Sequence, residues 1–413
     1  MVNSGIPWIG DIPKDWDIDT IGNLYTLRNE KVSDKDYPPL SVSKMGVVPQ
    51  LETAAKTDDG DNRKLVKVGD FAINSRSDRR GSCGISAYDG SVSLINTVIT
   101  PREQMNPRFY SWLFHSELFA DEFYKWGHGI VDDLWTTRWQ EMKRISIVAP
   151  SLEEQQKIAS FLDKKCSEID EMIALQEKIV EELKAYKQSK VKELFDTYMA
   201  TEPFTILKLG AMASLVTKQT GFDYSNTISH ALVGELSENT IPYLQTKHFK
   251  DGYWNYNTDY YIPKDVAVRF PKILLNKKSL LFSIVGASIG NVAVFPATTT
   301  AFLGGAICKV DLIKERDYEY IKHFMMSIYG QEQISSKINS SAQGTITVQN
   351  VRDFKIPMFD NPNVQTAITE EVSLLGDRIS SLIAIKLSKI DSLKEYKKTI
   401  IYEYVTGKKE VTE

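Results

Sequence analysis

Three arginines in one short glycine- and serine-rich string are the residues of this chain best suited to chemistry on an anionic partner. The string is Asn74-Ser75-Arg76-Ser77-Asp78-Arg79-Arg80-Gly81, and it follows the β-rich run Phe71-Ala72-Ile73. Planar guanidinium forks match guanine edges and phosphate oxygens through paired hydrogen bonds. Asn74, Arg76, Arg79 and Arg80 are therefore candidates for contact with nucleic acid. The string reads equally as a solvated turn in which Asp78 neutralises part of the charge. An equivalent string, Ser283-Ile284-Val285-Gly286-Ala287-Ser288-Ile289-Gly290, carries no basic residue. Its backbone amides and the Ser288 hydroxyl suit phosphate, and a structural turn fits the same residues.

A second pair of loops adds His128, in Gly127-His128-Gly129, and Gln343 and Thr345, in Ser341-Ala342-Gln343-Gly344-Thr345. Gln and Asn side chains pair with adenine edges, and Lys or Thr serve phosphates. Lys247, Lys277 and Lys278 join the candidates on that ground, although surface lysines are usually only solvated.

Catalytic signatures are missing. No G-x4-G-K-[ST] string occurs, and Gly407-Lys408-Lys409 lacks the upstream glycine of a nucleotide-binding loop. The five histidines have no metal-ligand spacing, and Cys83, Cys166 and Cys308 form no CxxC. Asp36-Tyr37-Pro38-Pro39-Leu40 has the wrong order for the Asn/Asp-Pro-Pro-Tyr/Phe element of an amino-methyltransferase and reads as a turn into a strand. The chain reads as a non-enzyme that binds no cofactor or metal of its own.

The elements that position these loops are set by an internal repeat of about 210 residues. Leu183-Lys184-Ala185-Tyr186-Lys187 returns as Leu393-Lys394-Glu395-Tyr396-Lys397. Trp139-Gln140-Glu141-Met142-Lys143 matches Val348-Gln349-Asn350-Val351-Arg352, and Trp16-x4-Ile21-Gly22 matches Phe204-x4-Leu209-Gly210. Residues 151–199 form one predicted helix, capped by Ser151, with a seam at Leu162, Cys166, Ile169, Ile173, Gln176, Val180 and Leu183 in steps of four and three. The second copy, roughly 363–405, repeats the seam at Val372, Ile379, Ile383, Lys386, Ile390, Leu393 and Ile400, with Gly376 where Cys166 stands in the first. Neither helix buries its stripe alone, so an antiparallel coiled coil is expected; docking of each helix on its own globular part is the alternative. The inserts mix β-rich runs with one helical stretch each, near 107–123 and 317–334. The expected fold is α+β: two mixed α/β domains at 1–150 and 201–360, joined by long helices at 151–200 and 361–413.

Composition excludes little. The 413 residues carry 50 Lys+Arg and 54 Asp+Glu, and 42% are hydrophobic, which is ordinary for a globular protein. Residues 1–150 hold 18 Lys+Arg against 21 Asp+Glu, so a DNA-binding surface has to come from local clusters. No apolar run reaches the ~18–20 residues of a membrane span, and the three scattered cysteines, which suggest no disulfide framework, fit a reduced cytoplasmic setting.

The opening Ile6-Pro7-Trp8-Ile9-Gly10-Asp11-Ile12-Pro13-Lys14-Asp15-Trp16, the junction Pro150-Ser151-Leu152-Glu153-Glu154-Gln155-Gln156-Lys157-Ile158-Ala159 and the repeated Leu-Lys-x-Tyr-Lys element together resemble the specificity subunit of type I restriction-modification systems. The resemblance spans the whole chain; the second junction, Pro357–Gln365, departs from the fuller Pro-x-x-Glu-Gln-Gln pattern. It implies two target-recognition domains, each reading one half of a bipartite, asymmetric site on double-stranded DNA, with the helical pair as spacer. It also implies partners that do the chemistry: two modification subunits using S-adenosylmethionine, and restriction subunits using ATP and Mg. The competing reading is a coiled-coil scaffold with two globular domains and no role on DNA.

Overall fold

The computed structural model describes residues 1–51, 59–103, 105–129, 135–250, 253–254, 257–338 and 344–411. The chain divides into two compact units, Met1–Lys178 with Lys386–Glu413, and Ile179–Ile385. Each unit thus holds one head and one end of each long helix.

The two helices run Leu152–Thr201 and Pro362–Val405. Ser151 starts the first by accepting the Glu154 N–H at 3.2 Å, with Glu153 and Glu154 against the positive end of the helix dipole. The second starts with Pro362, whose fixed φ and missing N–H cost nothing at a first helical position. It continues unbroken through Gly376.

The helices pair antiparallel in each unit. In the first unit Phe161 lies 4.4 Å from Tyr404, ring to ring, and Lys397 bonds Asp170 at 2.6 Å. In the second, the Tyr198 hydroxyl donates to Glu371 at 3.1 Å. Leu162, Cys166, Ile169, Val180, Val372, Ile379, Ile390 and Ile400 are buried, as the seam requires. Both expectations hold at once, because the helix ends also dock on the heads. Ile158, Leu162, Cys166 and Ile169 join one core with Phe109, Phe114 and Phe119, while Val191, Phe195, Ile368 and Val372 join another with Phe282, Tyr320 and Phe324.

Each head is built on a four-stranded antiparallel sheet of the same order. In the first head the order is Cys83–Ile85, Phe71–Asn74, Asn96–Pro101, Tyr25–Leu27; in the second it is Val292–Phe295, Ser279–Ser283, Ile307–Leu312, Ala213–Lys218. Two helices cover this sheet in each case. The single helical stretches expected near 107–123 and 317–334 are each broken by a serine: Pro107–His115 and Glu117–Lys125 flank Ser116, and Asp317–Met326 and Ile328–Ser335 flank Ser327. Both serines are extended, with ψ of 143° and 170°, and each hydroxyl bonds back to a carbonyl three residues earlier, at 2.7 Å and 2.6 Å. Local hydroxyl bonding of this kind competes with helix propagation.

The heads diverge in what is added to this frame. The first gains a three-stranded sheet, Gly90–Val92, Arg63–Val66 and Lys31–Val32, and the hairpin Leu40–Ser43/Gly46–Pro49. The second gains a four-stranded sheet, Tyr261–Pro263, Thr240–Leu244, Ala301–Leu303 and Leu274–Leu275, with its own core around Ile241, Leu275 and Phe302.

Candidate nucleic-acid interface

The arginine string connects two antiparallel strands, Phe71–Asn74 and Cys83–Ile85. Its path is set by main-chain bonds. The Asn74 N–H donates to Ser82 O at 2.9 Å, Ser82 N–H donates to Arg79 O at 3.0 Å, and a 3₁₀ turn occupies Ser77–Arg79. Gly81, at φ +75°, supplies the left-handed residue that closes the loop. The second head repeats this residue for residue: Ser283 N–H donates to Asn291 O at 2.9 Å, Asn291 N–H donates to Ser288 O at 3.2 Å, the 3₁₀ turn is Gly286–Ser288, and Gly290 sits at φ +94°.

A second segment closes on each loop. In the first head Thr137 N–H donates to Ser75 O at 3.0 Å and Ser77 N–H donates to Trp135 O at 3.1 Å, so Thr136 lies opposite Arg76. On its other side Thr136 exchanges both main-chain bonds with His128, at 3.0 Å and 3.1 Å. Arg76, Thr136 and His128 therefore form one cross-strand row, with side chains on the same face. The opposite face points into the head, where Ser75 and Thr137 are buried and the Trp135 indole N–H donates to Tyr124 O at 2.7 Å. In the second head Ile346 N–H donates to Ile284 O at 2.9 Å, and the row is Val285 opposite Thr345.

The structure thus gathers Arg76, Arg79, Arg80 and His128 around one loop pair, and Ser288 and Thr345 around the other. Arg79 and Arg80 are exposed and ion-paired to Asp78 and Asp121. Asn74 is buried; its Oδ1 accepts the Arg76 N–H at 3.1 Å and its carbonyl accepts the Tyr124 hydroxyl at 3.0 Å, so it braces the loop from within. Ser288 bonds the Ser283 hydroxyl at 2.9 Å. Gln343 lies outside the described residues. The three lysines are placed elsewhere. Lys277 pairs with the buried Asp311 at 3.1 Å, at the far end of the strand from the loop, and Lys278 lies over the Tyr318 ring at 5.6 Å. Lys247 pairs with Asp259 in a separate 3₁₀ turn, Thr246–His248.

Sequence reasoning missed Thr136 and Trp135. The repeat held the signal, because Thr136-Thr137 precedes Trp139-Gln140 as Thr345-Ile346 precedes Val348-Gln349.

The cysteines offer no nucleophile: burial pushes the Cys83 and Cys308 thiols up to about 12 and Cys166 to about 11. His323 is driven down to about 3, first by burial and then by Lys322 and Lys187, so it stays neutral against Ser373 Oγ at 3.1 Å.

A duplicated frame with two unlike loop pairs defines a class of protein that carries one architecture twice on one chain. The family model for the type I restriction modification DNA specificity domain matches residues 13–185 and again 227–400, and the chain belongs to that family. No curated protein sequence matches it. Among solved structures, a chain from a study of complex assembly and conformational transition in the type I restriction-modification system is similar, with a TM-score of 0.70 at 14% identity over 96% of this chain and 98% of that one. The HsdS subunit from Thermoanaerobacter tengcongensis is similar with a TM-score of 0.50 at 16% identity, over 96% of this chain and 98% of its own. At these identities the likeness concerns the fold. Among the described residues no helix is long and apolar enough to cross a membrane.

Proposed function

We propose that this chain is the DNA sequence-recognition subunit of a type I restriction-modification complex in the cytoplasm. Each head reads one half of a bipartite, asymmetric site, and the antiparallel helices set the distance between the halves. The observation that carries this reading is the repeat of one loop-and-ladder frame with different side chains on its outward row. A scaffold with two inert heads has no use for such divergence at one place. Two modification subunits dock on the repeated helices, the repeat giving each an equivalent seat. These subunits use S-adenosylmethionine to methylate adenines swung out of the duplex, and restriction subunits use ATP and Mg. Arg76, Arg79, Arg80 and His128 contact DNA from the first head. Ser288, Gln343 and Thr345 contact it from the second.

The test is methylome sequencing of a host expressing this chain with its modification subunit. A split motif with a fixed unread gap is expected. Replacing Arg76, Arg79 and Arg80 together with alanine degrades one half of that motif and leaves the other. Methylation of random DNA at the same rate as any split site rejects the reading, and failure of a modification subunit to co-purify favours the scaffold.

A further inference from the structure

Arg76 differs from the other two arginines of its loop in how it is held. Its main chain is fixed on three sides: by Asn74 Oδ1 at 3.1 Å, by the ladder to 135–137, and by the Arg79 N–H donating to its carbonyl at 3.2 Å. It is half-buried, whereas Arg79 and Arg80 are exposed. Among the described residues its guanidinium makes no hydrogen bond or ion pair, while the other two carry Asp78 and Asp121 as partners. Its donors are left to solvent in the free protein, so a ligand with paired acceptors can engage them without breaking an ion pair.

The row itself has the dimensions of a short stretch of duplex. Arg76 and Thr136 form a non-hydrogen-bonded pair, with Cα atoms ~4.5 Å apart, and Thr136 and His128 a hydrogen-bonded pair at ~5.5 Å. Three side chains over ~10 Å span about three base-pair steps of ~3.4 Å. A planar fork held at the end of such a row loses little freedom on engaging a planar, two-acceptor edge.

Resting on the function proposed above, we propose that Arg76 is a specificity-determining residue: it reads a guanine through O6 and N7, while Arg79 and Arg80 hold the phosphate backbone. Thr136 and His128 face the adjoining bases. The first half-site therefore contains a guanine at the position facing Arg76.

The test compares complexes of modification subunit with wild-type chain, R76A, R76K and R79A/R80A, measuring methylation rates on a library randomised across both half-sites at two salt concentrations. R76A is expected to lower the preference for guanine at one position about ten-fold or more, and to leave the other half-site untouched. R76K keeps the charge without the fork and is expected to lose the same preference. R79A/R80A is expected to slow methylation equally on all sequences and to flatten the salt dependence by about two contacts. An R76A complex that loses rate uniformly, or keeps its guanine preference, overturns the assignment, as does a first half-site without guanine; the split motif persists in each case. Loss of the split motif from the wild-type complex instead defeats the underlying reading. Co-purification of each variant with the modification subunit establishes that it is folded, and R76K preserves the test if R76A does not assemble.

Discussion

In the first head the outward rung of the loop ladder holds Arg76, Thr136 and His128; in the second the same rung holds Val285 and Thr345. The bonds that fix the rung are main-chain bonds in both, at 3.0 Å for Thr137 to Ser75 and 2.9 Å for Ile346 to Ile284. Main-chain bonds are indifferent to the outward side chain, so the loop keeps its shape while its chemistry changes from cationic to apolar. What the two loops share is the residue that turns the chain, a glycine with positive φ in both, Gly81 and Gly290.

The same contrast recurs inside the sheets. At the start of one strand the first head has Asp70, bonded to the Thr100 hydroxyl at 2.7 Å; the second has Ser279, whose hydroxyl bonds Asp311 at 2.7 Å. Carboxylate and hydroxyl have changed places. The cations differ with them. Arg28 bonds Asp70 in two places and is 22% exposed, whereas Lys309 is 1% exposed and pairs with Asp311 at 3.4 Å while donating to Leu274 O at 2.9 Å. Burial lowers the Lys309 pKa, with Asp311 opposing the shift. Removing Asp311 leaves a buried cation without its carboxylate, so D311A is expected to cost about 3–5 kcal/mol. D70A leaves a cation that solvent reaches, and is expected to cost about 1–3 kcal/mol. Urea unfolding, followed by hydrogen exchange resolved over each head, measures both. Equal losses, or a larger loss in the first head, would break the comparison.

A smaller asymmetry lies where the heads agree most closely in sequence. The repeated Ile21-Gly22 and Leu209-Gly210 face the repeated 139–143 and 348–352 segments, so two motifs read separately in the sequence are the two sides of one contact. A Cβ on Gly22 would lie 2.9 Å from Lys143 O, and one on Gly210 would lie 3.0 Å from Arg352 Cβ and 3.2 Å from its carbonyl. Both glycines sit in short helices, where alanine alone gains ~1 kcal/mol. In the first head the backbone clash outweighs that gain, and G22A is expected to destabilise by about 1–2 kcal/mol. In the second the terms nearly cancel, and G210A is expected to change stability by less than about 0.5 kcal/mol. Thermal unfolding of the two variants decides it; a stabilising G22A would show that the contact relaxes freely.

The long helices, the repeat and the strands entering the loops were legible because period and self-similarity encode them directly. Ser151 and Pro362 marked their helix starts for the same local reason. The break at Ser116 and Ser327 was not legible, since an amphipathic stripe continues across each serine and only the hydroxyl bonds end the helix. Lys277, Lys247 and Asn74 mark the other limit. Composition made them candidates, but Lys277 and Lys247 pair with Asp311 and Asp259, and Asn74 faces inward. A partner from another strand cannot be read from the residue itself. Arg76 stood out in the string only as one of three; the cross-strand partner that separates it from Arg79 and Arg80 lies some 60 residues on.

The smallest expected effect falls on the second rung. Val285 offers only methyl groups, which match the 5-methyl of thymine rather than any hydrogen-bonding edge. V285T keeps the shape of the side chain and replaces one methyl by a hydroxyl, leaving the main-chain bonds from Gly286 and Ile346 in place. In the methylation assay it is expected to weaken a thymine preference at one position of the second half-site by less than about ten-fold, since an apolar contact is worth ~1 kcal/mol or so against a fork's two hydrogen bonds. The first half-site is expected to stay as it was. A V285T effect on the first half-site, or one larger than that of R76A, would mean that the two rungs do not play equivalent parts in their heads.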